Sequence, residues 1–177
     1  MITLSFFISP IQLGLFFGAN RIYKAFNSLF SPISQAFFPL ISSLKNQNIK
    51  KSKLLMRNYL ILITIIGSLF FLINNLFTET IISLLLGEKF SDAGNLLRLF
   101  SIVLPLTAVS NALGRQWLMA INKEFFYSVI QLASSIIAFI VFLLSIKAFG
   151  IYAMPISLIV YEGMSIAIIS IFLVSND

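Results

Sequence analysis

Neither cysteine nor histidine occurs in the 177 residues. That removes disulfides, thiol nucleophiles, imidazole acid–base chemistry and ordinary zinc sites together. Charge is scarce as well. Only 10% of residues are charged, with 6 acids against 12 bases, where a soluble domain carries about 25%. No carboxylate pair or metal-ligand cluster stands out to carry a reaction, so neither an enzyme nor a cofactor is expected. Linkers, low-complexity tracts and short repeats are missing too, and residues 1–177 read as a single membrane domain. "MITLSFFISPIQLG" lacks the basic start and small-residue cleavage site of a secretory signal.

What fills the chain instead is hydrocarbon. Hydrophobic residues make up 59%, Phe alone contributes 19, and the mean hydropathy is +1.00. This composition reads as an all-α integral membrane protein. The net charge of +6 falls mostly between apolar runs, where it reports topology and not nucleic-acid binding. Crossing the hydrocarbon takes about 20 apolar residues. Segments near 15–43, 57–78, 95–120, 125–147 and 151–174 meet that length, which predicts five transmembrane helices plus an N-terminal helix stub over residues 1–8. "SPIQLG" at 9–14 predicts a turn after the stub; the alternative is one short span over 2–19 kinked at Pro10.

Loop charge sets the orientation. The loop at 45–57, "KNQNIKKSKLLMR", holds Lys45, Lys50, Lys51, Lys53 and Arg57 without an acid and is expected to be cytoplasmic. Alternation then places 78–95, with Glu79, Glu88 and Asp92, outside. The "NKE" turn at 122–124 falls inside, "KAFG" at 147–150 outside, and the C-terminus inside.

One stretch resists the apolar reading. "GANRIYKAFNSLFSPISQAFFPLISS", residues 18–43, mixes lipid-like residues with cations and amides. On a helical wheel Asn20, Arg21, Lys24, Asn27, Ser28, Ser31, Ser34, Gln35 and Ser42 share an arc of about 140°. Such a face cannot look at lipid, since a cation near the bilayer centre costs at least about 2.5–3.5 kcal/mol. It lines water or packs on protein; the alternative is an amphipathic helix lying on the membrane surface. Pro32 and Pro39 each delete a backbone hydrogen bond, which predicts a hinge or simple bending at each.

The other spans are plainer. Thr107, Ser110, Asn111 and Gly114 form one stripe, and Ser128, Gln131, Ser135, Ala138 and Ser145 another. Both are read as helix packing, with cavity lining the alternative. The 57–78 span is expected to face lipid, and Trp117 and Tyr127 to anchor at the interface. Glu162 lies mid-span, so its carboxyl is protonated, ion-paired or in a wet cavity. Arg21 is a candidate partner, and a structural ion pair and a coupling site are both open readings.

The chain also resembles a family. "LGLFFGANRIYKAFNSLFSPISQAFFPLISSL" is similar to the second-half signature of polysaccharide-biosynthesis membrane proteins of the O-antigen flippase type. "LLGEKFSDAGNLLRLFS", "GRQWLMAINKE" and "FGIYAMPISLIVYE" resemble that family's later loop, turn and last helix, in the same order. The family sits in the multidrug/oligosaccharidyl-lipid/polysaccharide exporter superfamily. The resemblance implies two six-helix lobes around a cavity that alternates between the faces of the bacterial inner membrane. The implied substrate is an undecaprenyl-diphosphate-linked oligosaccharide, an O-antigen or capsule repeat unit. It also implies that cavity cations meet the diphosphate, a role mapping here onto Arg21 and Lys24, with Asn27 and Gln35 beside them. Only the C-terminal lobe is covered, so a truncated chain is expected. Its partners would be membrane lipids, the lipid-linked oligosaccharide, and a missing N-terminal lobe or full-length protein; no nucleic acid is expected. The alternatives are a cation-coupled multidrug exporter, in which Glu162 would bind a proton or Na⁺, and a non-transporting remnant or subunit.

Overall fold

A computed structural model of the chain describes residues 9–175. Among these residues every regular element is helical. The elements in order are α1 (Pro10–Ser28), α2 (Phe30–Gln47), α3 (Ile49–Leu76), α4 (Thr78–Leu85) and a 3₁₀ segment (Glu88–Ala93). Then follow α5 (Gly94–Asn111), a π segment (Ala112–Leu118), α6 (Glu124–Phe149), a 3₁₀ turn (Gly150–Tyr152) and α7 (Ala153–Ser175).

The start of α1 corrects the expected turn at 9–14. Ser9 is the helix N-cap: its hydroxyl accepts from Gln12 N and its own N–H donates to Gln12 Oε1, both at 3.3 Å. Pro10 occupies the first helical position, where a missing N–H costs nothing. Ser-Pro therefore opens a helix here. The expected stub over residues 1–8 lies outside the described residues.

The basic stretch at 45–57 is likewise mostly helix. Asn48 alone separates α2 from α3; its N–H donates to Leu44 O (2.7 Å) and its side chain accepts from Lys51 N (3.1 Å). One extended residue thus ends one helix and caps the next. The region 78–95 is also folded, into α4 and the 3₁₀ segment, with Gly87 supplying φ +88° between them. The turn at 122–124 is where it was expected, with Asn122 at φ +59°, a conformation asparagine tolerates.

Cross-links fix the relative directions. Ser52 Oγ donates to Ile41 O (2.8 Å) and Ser34 Oγ meets the Tyr59 hydroxyl (2.8 Å), so α2 and α3 are antiparallel. Thr107 pairs with Glu162 and Ser110 with Ser165 at one constant offset, so α5 and α7 are parallel. Gln131 reaching Ser165 and Tyr161, with Phe126 stacked on Phe172, makes α6 antiparallel to α7. Gly150, at φ +54°, turns that hairpin. The rod α1–α2 therefore runs with α5 and α7, and α3 and α6 run against them.

The central helix is α5. Leu96, Leu97, Phe100, Val103, Leu104 and Ala108 are all buried, covered by α1, α3 and α7. In lipid, such packing rests on close backbone approach and van der Waals contact and not on expulsion of water. Gly67 of α3 supplies that approach: a β-carbon there would lie 2.9 Å from Pro105 Cα. Outside the core, Ile61, Ile65, Leu69 and Leu72 of α3 stay exposed at helical spacing, as do Leu132, Ile136, Phe139 and Leu143 of α6. Uncovered apolar stripes of this length suit hydrocarbon as the solvent. The 57–78 span thus faces lipid on one side only, because Tyr59, Ile63 and Gly67 turn inward.

Among the described residues, three stretches are long and apolar enough to cross a membrane: Ile49–Leu76, Glu88–Leu118 and Glu124–Ser175. The last of these contains both arms of the α6–α7 hairpin. The α1–α2 rod does not qualify, because its polar arc dilutes it. Length and composition among the described residues thus do not support the expected count of five.

Candidate functional site

The middle of the polar arc recognised in the sequence is one wall of a cavity of about 470 Å³, while its ends, at Asn20 and Ser42, lie outside the lining. Asn27 and Ser28 from the end of α1 line it, with Ser31, Ser34 and Gln35 from α2. The facing wall is the C-terminal end of α5 and the π segment, which contribute Asn111, Arg115, Gln116 and Met119. Phe30 and Phe38 complete it.

Local geometry explains both walls. The helix axis is interrupted at Leu29, one turn before Pro32, whose ring nitrogen cannot bond the Ser28 carbonyl. Pro39 causes no second interruption; α2 continues through it to Gln47. Along the wall, Ser28 Oγ donates to Ala25 O (2.7 Å) and Gln35 Nε2 to Ser31 Oγ (2.9 Å). In the opposite wall, i→i+5 bonding widens the helix, and π segments of this kind cluster at functional sites. The widened turn brings Asn111, Arg115 and Gln116 onto one side. Gln116 Nε2 donates to Ser34 O across the two walls (3.1 Å). Its Oε1 is buried without a partner among the described residues, an acceptor left open for a ligand hydroxyl or a water.

The lining holds hydroxyls, amides and one guanidinium, and no carboxylate. Such a surface donates hydrogen bonds to anions and exchanges them with sugar hydroxyls.

The residues singled out in the sequence divide. Asn27 and Gln35 line the cavity. Arg21 and Lys24 are exposed on the same rod but lie outside its lining. Neither forms an ion pair with another described residue. Arg115 was not foreseen, nor was Gln116. The signal available was the polar pair Arg115–Gln116 inside an apolar run, but α-helical spacing does not put Gln116 beside Asn111.

Glu162 occupies a second polar centre, buried between α5, α6 and α7. Thr107 Oγ1 donates to Glu162 Oε1 at 2.9 Å, and Arg21 is not bonded to it. Below it, Ser110 meets Ser165 (3.3 Å), Gln131 Nε2 donates to Ser165 Oγ (3.3 Å), and the Tyr161 hydroxyl donates to Gln131 Oε1. Gly114 leaves room for the Tyr127 ring, which would be 2.4 Å from a β-carbon. In the α5 stripe Thr107, Ser110 and Gly114 pack as expected and Asn111 lines the cavity. In the α6 stripe Gln131 and Ala138 pack, whereas Ser128 and Ser135 are exposed and donate to Glu124 O and Leu132 O of their own helix. Trp117 is buried in the core where an interfacial anchor was expected; the π segment turns it inward. On the opposite end of the molecule Arg98 pairs with Glu79 (3.8 Å) and donates through Nε to Thr78 Oγ1 (3.3 Å). No group of three or more acids able to hold a metal occurs among the described residues.

Comparison with known proteins bears out the resemblance read from the sequence. The chain is 27% identical over 176 residues to the protein named "Putative O-antigen transporter" of Escherichia coli (strain K12). The match covers 99% of this chain and 42% of that protein, so the chain spans about two fifths of its relative's length. No family model matches the chain, and no solved structure does.

Proposed function

We propose that this chain is the C-terminal lobe of a transporter that moves an undecaprenyl-diphosphate-linked oligosaccharide, an O-antigen or capsule repeat unit, across the bacterial inner membrane. The observation that carries the reading is the lining of the 470 Å³ cavity: Asn27, Ser31, Gln35, Asn111 and Gln116 around Arg115, with no acid. A guanidinium grips a diphosphate through paired N–H donors, and amides and hydroxyls exchange hydrogen bonds with sugars. A cationic drug would find no counter-charge there. The name of the relative, an O-antigen transporter, points the same way.

In this reading the rods α1–α2, α3, α5, α6 and α7 each cross the bilayer, in keeping with their alternating directions. The basic start of α3 and the C-terminus face the cytoplasm. Arg21 and Lys24, exposed on the cavity rod, meet the substrate where a first lobe supplies the opposite wall. Glu162, hydrogen-bonded to Thr107 and not to Arg21, is a coupling group whose protonation or cation binding follows the transport cycle.

Chemical protection tests the cargo. The chain has no cysteine, so Ser31→Cys introduces a single label site. Undecaprenyl-diphosphate-linked glycan should slow its reaction with a water-soluble maleimide. Arg115→Ala should remove that protection and Arg115→Lys restore part of it, since lysine lacks the bidentate fork. Protection by a lipophilic cation in place of the glycan would transfer the chain to the drug exporters.

A further inference from the structure

We infer that Pro32 and Pro39 equip the cavity with two main-chain acceptors, the carbonyl oxygens of Ser28 and Gln35, which receive hydroxyl hydrogens from the sugar part of the cargo. The inference rests on the reading that the cargo is a lipid-linked glycan, and adds which atoms tell a glycan-bearing lipid from a bare one. A proline nitrogen carries no hydrogen, so a proline at i leaves the carbonyl at i−4 without its helical donor, and its ring crowds that oxygen. The carbonyls concerned are those of Ser28 and Gln35, and both residues line the 470 Å³ cavity. Ser28, Pro32, Gln35 and Pro39 are all exposed and stand at i, i+4, i+7 and i+11, one stripe of the rod.

In a membrane helix such a freed carbonyl is tolerated where it lines a cavity or meets a new donor. The rod breaks near Pro32, with Leu29 N donating back to Phe26 O (3.1 Å). At Pro39 the helix runs on unbroken, so the lost donor is the lasting effect of that proline. Donors from the opposite wall reach this main chain already: Gln116 Nε2 donates to the carbonyl of Ser34, next to Gln35. Nearby side-chain hydrogens are turned back to the rod itself, from Ser28 Oγ to Ala25 O and from Gln35 Nε2 to Ser31 Oγ. The wall therefore offers acceptors outward, and sugar hydroxyls bring the hydrogens it lacks. A metal cation is a poorer match. The two carbonyls lie seven residues apart, about 10 Å along the axis, whereas one ion holds its oxygens within about 2.6 Å. The Arg115 guanidinium in the facing wall also repels a cation. A chain of hydroxyl-bearing units spans the two acceptors.

Met119→Cys reads occupancy from the opposite wall, as a single label site in a chain without cysteine, reconstituted in phosphatidylcholine vesicles. Undecaprenyl diphosphate bearing its glycan should protect this cysteine from a water-soluble maleimide at roughly one tenth the concentration that sugar-free undecaprenyl diphosphate needs, the gap two hydrogen bonds supply. Pro32→Ala and Pro39→Ala each return an N–H to the helix and should each narrow the gap about threefold. The double variant should close it, with sugar-free protection unchanged. If a proline variant fails to fold, a permethylated glycan on the Met119→Cys chain decides: without hydroxyl hydrogens it should protect no better than the sugar-free lipid. A gap that survives both proline substitutions, or permethylation, overturns the inference. Loss of protection by both lipids alike in the proline variants also overturns it, because the prolines would then act through cavity shape. Equal protection by the two lipids on the Met119→Cys chain overturns this inference alone; protection by neither overturns the cargo reading along with it.

Discussion

Gly67 stands where α3 and α5 touch backbone to backbone, and no side-chain rotation can make room for a methyl group 2.9 Å from Pro105 Cα. Gly67→Ala should push the helices apart and cost about 1–3 kcal/mol of packing, against about 1 kcal/mol regained in helix propensity. Gly163, whose β-carbon would meet nothing within 4 Å, gains the propensity alone. Thermal unfolding in detergent should therefore show a lower midpoint for Gly67→Ala and an equal or higher one for Gly163→Ala; the reverse order would mean that α3 and α5 do not pack at this point. Glu162 poses a different residue-scale question, because its carboxyl oxygen accepts from Thr107 in a buried seam. Glu162→Gln keeps an acceptor oxygen and should leave folded yield close to normal. Glu162→Ala strands the hydroxyl and opens a cavity, at a cost of about 1–3 kcal/mol for the lost partner alone. Similar yields for the two variants would remove Glu162 from the structural account of this seam.

At the scale of elements, the α1–α2 rod and the π segment act as a pair. Each is irregular, one at Leu29 and the other through i→i+5 bonding, and the cavity lies between the two irregularities. The rod turns Ile41 to the core, Leu29 and Leu40 outward, and Asn27, Ser28, Ser31, Ser34 and Gln35 to the cavity. Cysteines at Asn27 and Ser31 should accordingly react with a membrane-impermeant maleimide at least several-fold faster than cysteines at Leu29 and Ile33, since thiols ionise and react only where water reaches them. Equal labelling of the two faces would show a helix lying on the membrane surface. The α6–α7 hairpin depends on one backbone angle, φ +54° at Gly150. Gly150→Ala should destabilise the hairpin by about 1–2 kcal/mol, read as a lower unfolding midpoint.

For the whole molecule, the alternating directions of α1–α2, α3, α5, α6 and α7 convert the proposed orientation into a test with several readouts. Alkaline phosphatase, active only outside the cytoplasm, should be silent when fused after Asn48 or Asn122. It should be active when fused after Asp92 or Gly150. The clustering of Lys45, Lys50, Lys51, Lys53 and Arg57 around the α2–α3 junction sets this expectation. Activity after both Asn48 and Asp92 would mean that α3 does not cross, and a full inversion would place the basic junction outside.

The sequence by itself determined the solvent and the all-helical class. Abundant hydrocarbon, scarce charge and helical-period stripes leave few options in lipid, where each backbone group must be bonded within its own segment. It also marked Asn27, Ser31, Ser34 and Gln35 as one face, because side chains on a single helix keep their angular relation whatever surrounds them. Only the tertiary structure decided what that face meets. Arg115 and Gln116 reach it through a π-bonded turn that α-helical spacing misplaces, and Trp117 turns to the core for the same reason. Ser-Pro at 9–10 could open a helix or a turn with equal local chemistry, and the Ser9–Gln12 capping box settled it as a helix. Glu162 was visible as a costly carboxylate, but its bond to Thr107 depends on the parallel register of α5 and α7. That register is a property of packed pairs of helices, and no single segment encodes it.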